Sequence, residues 1–272
     1  MRKYCVGGNW KLKVPKTADS IVLAKDLVEA VSSLALDNVE VFIAPSFTAL
    51  AEVGIVIKDS PVKLGAQNMS TDEKGSLTGE TSVLALKELG VDYVLIGHSE
   101  RRHQVASETD EEINKKVKLA LKHGLTAVLC IGEKGPDRAA GKTEEVNERQ
   151  LSLGLKDVAE ADLDKVVIAY EPVWAINNPK LNPGVEIKAA TPKEAEDAHQ
   201  FIRNWFATNY SESAAKNIQI QYGGSMDDKN CSNFLPLEDV DGGLIGTAAC
   251  VGSDNNLSIE RFVVIIKECM NA

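Results

Sequence analysis

Eight short apolar runs, separated by longer stretches with helical spacing, constrain the fold of this 272-residue chain more than any other feature. The runs lie at 4–9, 39–44, 62–67, 93–97, 125–131, 166–171, 218–222 and 244–247. Most are rich in Val and Ile, and several end on Gly or a polar residue, as parallel strands buried on both faces do. Between the runs, 20–34 carries Ile21, Leu23, Ala24, Leu27, Val28, Val31 and Leu34, and 109–123 carries Ile113, Val117, Ala120 and Leu121. Both spacings put the apolar residues on one helical face. Thr191-Pro192-Lys193-Glu194 opens a further helix, with Thr as N-cap and Pro in the first turn, and 258–270 reads as the last one.

Eight such βα units without a low-complexity linker predict the α/β class and a closed (β/α)8 barrel, with 1–272 as a single domain. An open doubly wound sheet is the runner-up, and it usually has fewer strands. In a closed barrel the chemistry sits at the C-terminal ends of the strands. The polar residues that follow each run are therefore the candidates.

Charge and cysteine usage narrow the function. A formal net charge of −10 and a pI near 5.0 disfavour nucleic acid and anionic membranes as partners. They leave room for an anionic substrate held by local cations and backbone N–H groups. Cys5, Cys130, Cys231, Cys250 and Cys269 are scattered, with no Cys-x-x-Cys pair. Neither a disulfide framework nor a metal site is expected, and reduced thiols fit a cytoplasmic protein. From Met1 onward no apolar signal core precedes a cleavage site, and no apolar run of about 18 residues follows.

Several strand ends carry polar groups suited to catalysis. Gly7-Gly8-Asn9-Trp10-Lys11 follows the first run. A lysine there either grips an anion or oxyanion, or lies in a turn facing solvent. Gly97-His98-Ser99-Glu100-Arg101-Arg102 follows the fourth. A helix starting just after His98 disfavours imidazolium, leaving a neutral ring that donates to a carbonyl; a purely structural histidine is the alternative. Glu171 ends the sixth run and leads into Pro172-Val173-Trp174. A carboxylate there is costly unless paired or functional. With Trp174 and Pro172 as an apolar wall and a rigid exit, Glu171 becomes a stronger base through desolvation; a barrel-rim ion pair is the other reading. Tyr222-Gly223-Gly224-Ser225 and Gly246-Thr247-Ala248 follow the seventh and eighth runs, the usual phosphate site of such barrels. Gly141-Lys142-Thr143 resembles the end of a nucleotide P-loop, but Pro136 stands where that motif needs Gly, so it reads as a turn beside a helix.

Taken together, these segments resemble the triosephosphate isomerase family. The matching motifs are Gly8-Asn9-Trp10-Lys11, Gly65-Ala66-Gln67-Asn68, Thr78-Gly79-Glu80, Gly97-His98-Ser99-Glu100-Arg101-Arg102, Cys130-Ile131-Gly132-Glu133, 169–176, Tyr222-Gly223-Gly224-Ser225 and Asp241-Gly242 with Gly246. They occur in order along nearly the whole chain. The resemblance implies interconversion of dihydroxyacetone phosphate and D-glyceraldehyde 3-phosphate, a step of glycolysis and gluconeogenesis, without cofactor or metal. It implies Glu171 as the base that moves a proton between neighbouring carbons. Neutral His98 shuttles a proton between the oxygens, the family's known pairing of carboxylate and imidazole. Lys11 and Asn9 stabilise the enediolate and hold substrate, while Ser225, Gly246 and Thr247 hold the phosphate. It also implies a homodimer whose loop 68–80 reaches the neighbouring subunit through Thr78.

Three positions depart from the family pattern. Thr247 replaces a Gly, and Lys13 stands where Asn is common. The sixth loop, the family's lid, usually reads Ala-Ile-Gly-Thr-Gly-Lys; here 177–187 separates Ile176 from Lys188, an insertion of about eight residues. Asn177 by position, or Gly184 if the loop folds otherwise, becomes the residue that meets the phosphate. Pro179 and Pro183 stiffen the insert. An impaired phosphate-binding or scaffolding protein of this fold, and an isomerase or epimerase of another sugar phosphate, are the alternative functions. A scaffold has no need of the base, which favours the isomerase.

Overall fold

A computed structural model of the chain describes residues 2–184 and 186–272. Met1, and Val185 within the expected insert 177–187, lie outside the described residues. Eight parallel strands close into a barrel: β1 Tyr4–Asn9, β2 Val39–Ala44, β3 Val62–Ala66, β4 Tyr93–Ile96, β5 Thr126–Ile131, β6 Val166–Tyr170, β7 Gln219–Tyr222 and β8 Gly242–Ile245. Each strand pairs with the next in sequence, and β8 closes on β1 with Gly8 opposite Ile245. The (β/α)8 expectation holds.

Strand side chains alternate between two cores. In β5 and β6, Val128, Cys130, Val167 and Ala169 point into the barrel with Phe42, Tyr93 and Leu95, where Phe42 stacks on Tyr93 at 4.5 Å. Leu129, Ile131, Ile168 and Tyr170 face outward against the helices. Both faces of these strands are thus largely dry, which is why such runs read as continuous apolar segments rather than as alternating ones.

The helices α1 Thr17–Val31, α2 Leu50–Ile57, α3 Val83–Glu88, α4 Asp110–Lys122, α5 Gly135–Ala139, α6 Thr143–Gly154, α7 Pro192–Asn209, α8 Glu212–Asn217 and α9 Glu260–Asn271 surround the sheet. Thr191 caps α7 and forms a reciprocal capping box with Glu194, as its sequence predicts; Thr109 and Glu112 do the same for α4. Lys142 and Thr143 start α6, so the P-loop look-alike is a turn between two helices.

Three expected elements shift by two or more residues. The first helix begins at Thr17 and ends at Val31 instead of covering 20–34, because polar first-turn residues carry no apolar signal. The last covers Glu260–Asn271 instead of 258–270. The eighth strand covers Gly242–Ile245 instead of 244–247. Gly242 and Gly243 pair with Cys5 and Val6, and a Cβ on Gly242 would lie 2.0 Å from the Cys5 carbonyl oxygen. Glycine is required there for backbone approach, so the strand's first half has no hydropathic signature.

Candidate functional site

At the C-terminal mouth of the barrel a cleft of about 260 Å³ is lined by Asn9, Lys11, His98 and Glu171 on one side. Gly224, Ser225, Gly246 and Thr247 line the other, with Ile176 and Asn177 from the loop after β6. Asn9, Lys11, His98, Glu171, Ser225, Gly246 and Thr247 thus open on one cavity. Among the lid candidates Asn177 lines it, whereas Gly184 is exposed and does not.

Glu171 follows directly on β6 and is 3% exposed. Its Oε1 lies 3.0 Å from His98 Nε2 and accepts from the Ser99 hydroxyl at 3.2 Å; Oε2 accepts from the Ser99 backbone N–H at 2.8 Å. The backbone beneath it is cramped. A Cβ on Gly132 would meet the Glu171 carbonyl oxygen at 1.8 Å, and Gly132 sits at φ +153°. The end of β5 thus admits only glycine where Glu171 leaves the barrel.

His98 is buried, and its ring orientation is fixed by the chain that follows it. The Glu100 backbone N–H donates to Nδ1 at 3.2 Å. Nδ1 is then the acceptor, and the proton of the neutral ring stands on Nε2, facing Glu171. Burial pushes the His98 pKa below its usual value; the Glu171 charge opposes this, and Lys11 reinforces it. The short π-helical turn Arg101–Val105 begins just beyond, as expected from sequence.

Lys11 has φ 51°, a left-handed conformation rare outside glycine and a source of roughly 1 kcal/mol of strain. Two side chains hold that turn. Asn9 Oδ1 accepts the Lys11 N–H at 3.1 Å, and Gln67 Nε2 donates to the Lys11 carbonyl at 3.0 Å. The ammonium reaches Glu100 Oε1 at 3.0 Å. Burial raises the Glu100 pKa, but the nearby Lys11 charge and the Lys11 and Asn178 hydrogen bonds hold it below the usual range.

Ser225 donates its hydroxyl to the Ala175 carbonyl at 2.8 Å, which joins the β7 loop to the loop after β6. Thr247 starts the short turn Thr247–Ala249, its side chain toward solvent. Arg261 borders the cleft but is paired with Asp227 at 2.8 Å and with Asp228.

Trp174 corrects one expectation: it does not wall Glu171. Its indole N–H donates to Glu133 Oε1 at 2.7 Å, and the Arg138 guanidinium lies 4.0 Å over its ring. Fully buried Glu133 also accepts from the Tyr170 hydroxyl at 3.0 Å, and its carbonyl accepts from Val173 N–H at 3.0 Å. Burial raises the Glu133 pKa against these hydrogen bonds. Glu133 therefore anchors the start of the loop that follows β6. Ser99, Glu100, Gln67 and Glu133 were not assigned roles from sequence; all four lie inside quoted motifs, and Ser99 and Glu100 directly follow His98, which was the available signal.

Fold and cleft define a (β/α)8-barrel protein with a carboxylate and a neutral imidazole facing an anion-sized pocket. Comparison with known proteins names the family. The family model described as triosephosphate isomerase matches residues 4–269. A triosephosphate isomerase of Treponema denticola is 49% identical over 249 residues, 91% of this chain and 94% of that protein. One from Caldanaerobacter subterraneus is 45% identical over 255 residues, 93% of this chain and 97% of that protein. One from Borreliella burgdorferi is 43% identical over 271 residues, 99% of this chain and all of that protein. The chain belongs to the triosephosphate isomerase family.

Proposed function

We propose that in this isomerase of triose phosphates Glu171 is the base and His98 the neutral acid, acting within the cleft at the barrel mouth. The observation that carries the assignment is the 3.0 Å approach of His98 Nε2 to Glu171 Oε1, both buried and both lining the cleft.

Glu171 takes a proton from the carbon next to the carbonyl, and the C–H electron pair forms the enediolate double bond. His98 donates its Nε2 proton to the carbonyl oxygen and recovers one from the neighbouring oxygen. Glu171 then returns its proton to the other carbon, so atoms balance without an external reductant. Lys11 and the Asn9 amide stabilise the enediolate, a type of stabilisation worth about 3–4 kcal/mol per donor in a dry site. Backbone N–H groups at Ser225, Gly246 and Thr247 hold the phosphate, and Asn177 closes on it from the lid. Three donors now hold the Glu171 carboxylate, so substrate must displace at least one before it can act.

Leu12, Phe47, Leu77 and Val105 are exposed on the loops after β1 to β4, along one half of the rim. Thr78 is exposed on the same half. This apolar rim supports a homodimer in which Thr78 reaches the neighbouring subunit. Five buried, unpaired cysteines support a cytoplasmic setting; among the described residues no helix is long and apolar enough to cross a membrane.

A coupled assay on triose phosphates, run beside larger sugar phosphates, tests the reading. Turnover of trioses alone is expected. Phosphate binding without turnover would indicate a scaffold, and preference for a longer sugar would indicate another isomerase.

A further inference from the structure

We propose that Asn182 and Asn178 are positioning residues of the lid insert: Asn182 bolts the insert to the first hinge, and Asn178 there holds Glu100 so that Lys11 can turn to a phosphate-bearing substrate. The inference rests on the isomerase reading of this site.

Asn182 is buried, and its Nδ2 donates to the carbonyls of Val173 at 2.8 Å and Ile176 at 3.2 Å. The backbone N–H groups of Leu181 and Asn182 both reach the Asn178 carbonyl, at 3.0 and 3.1 Å. The start of the insert is thus one closed turn fastened to the hinge, not a loose extension. That turn fixes Asn178. Its Oδ1 accepts the Lys180 N–H at 3.0 Å, which orients the amide nitrogen toward Glu100 Oε1 at 3.0 Å and Gln104 Oε1 at 3.1 Å.

Glu100 Oε1 is the same oxygen that receives Lys11 Nζ at 3.0 Å. Lys11 must leave it to meet a phosphate. The Glu100 side chain is only 24% exposed, and with His98 neutral Lys11 is its one cation among the described residues, so losing it without another donor is costly. Asn178 supplies that donor from the lid. The position of the lid and the freedom of Lys11 are thereby coupled through one carboxylate oxygen.

The test uses Asn178→Ala and Asn178→Asp in the native background and with Glu100→Gln, reading the dissociation constant of inorganic phosphate and the kcat and KM for triose phosphate. Asn178→Ala is expected to raise the phosphate dissociation constant and KM about tenfold, the effect of one hydrogen bond to a charged group, and to change kcat far less. Asn178→Asp is expected to do worse, because a second carboxylate faces Glu100. With Glu100→Gln the two variants should converge to within about twofold, since their shared partner is gone. Phosphate binding within about twofold of native in both variants, or the same separation with Glu100→Gln, overturns the coupling. Asn182→Ala is expected to speed tryptic cleavage after Lys180 several-fold; an unchanged rate overturns the bolt. A native protein that fails to isomerise trioses would remove the functional reading, while phosphate binding and cleavage still decide this one.

Discussion

Glu171, His98, Lys11 and Asn9 were legible as single residues because each follows an apolar run, and a barrel gathers its strand ends at one mouth. Their partners were not legible, because the contacts join distant segments. Ser99 meets Glu171 across 72 positions, and Glu100 meets Lys11 across 89. Trp174 misled for a related reason: an aromatic residue near a carboxylate in sequence belongs to a different carboxylate, Glu133, in space. Two expectations belong at this scale. Gly132→Ala forces a Cβ against the Glu171 backbone, which cannot yield, and should cost about 3 kcal/mol or more in denaturant unfolding. His98, with its pKa lowered by burial, should titrate below the ordinary histidine range in nitrogen-15 histidine spectra. The acid limb it imposes on activity should lie below the ordinary histidine range; a ring that titrates at or above that range would contradict its role as a neutral acid.

At the scale of elements, strands with side chains on both faces announced themselves, and glycine-led β8 did not. Pairing to β1, a tertiary fact, decides where that strand starts. The capping signals at Thr191 were readable because a capping box is local. The insert 177–187 was visible as added length, but its turn was not, since that depends on Asn182 finding the Val173 and Ile176 carbonyls. The insert replaces the family's Gly-Thr-Gly tip with Asn177 and a fastened turn, so phosphate capture or lid closure should be weaker or slower than a short lid allows. Restoring Gly-Thr-Gly with about eight residues deleted should lower KM or raise kcat. Unchanged kinetics in that variant would show that the insert does not tune the lid.

For the whole molecule, the closed barrel explains both stability and function, since the same strands that bury the core aim the site. His199 shows the cost of that burial. It is fully buried, donates through Nδ1 to the Asp239 carbonyl at 3.1 Å, and its pKa is lowered to about 3 by desolvation. The unfolded chain protonates it near pH 6.5 while the folded chain resists. Its contribution to stability is therefore complete above that pH and is lost as pH falls toward 3, at about 1.4 kcal/mol per pH unit. His199→Asn keeps a donor without the titration and should flatten the fall of melting temperature between about pH 6.5 and 4; an unchanged slope would place acid sensitivity elsewhere. The central claim, that Glu171 moves the proton, meets its most direct test in kcat/KM of Glu171→Gln measured beside the native enzyme on dihydroxyacetone phosphate. With fold and melting temperature retained, a loss of about 10²- to 10⁴-fold is expected for removal of a general base. Turnover within a few-fold of native would contradict it.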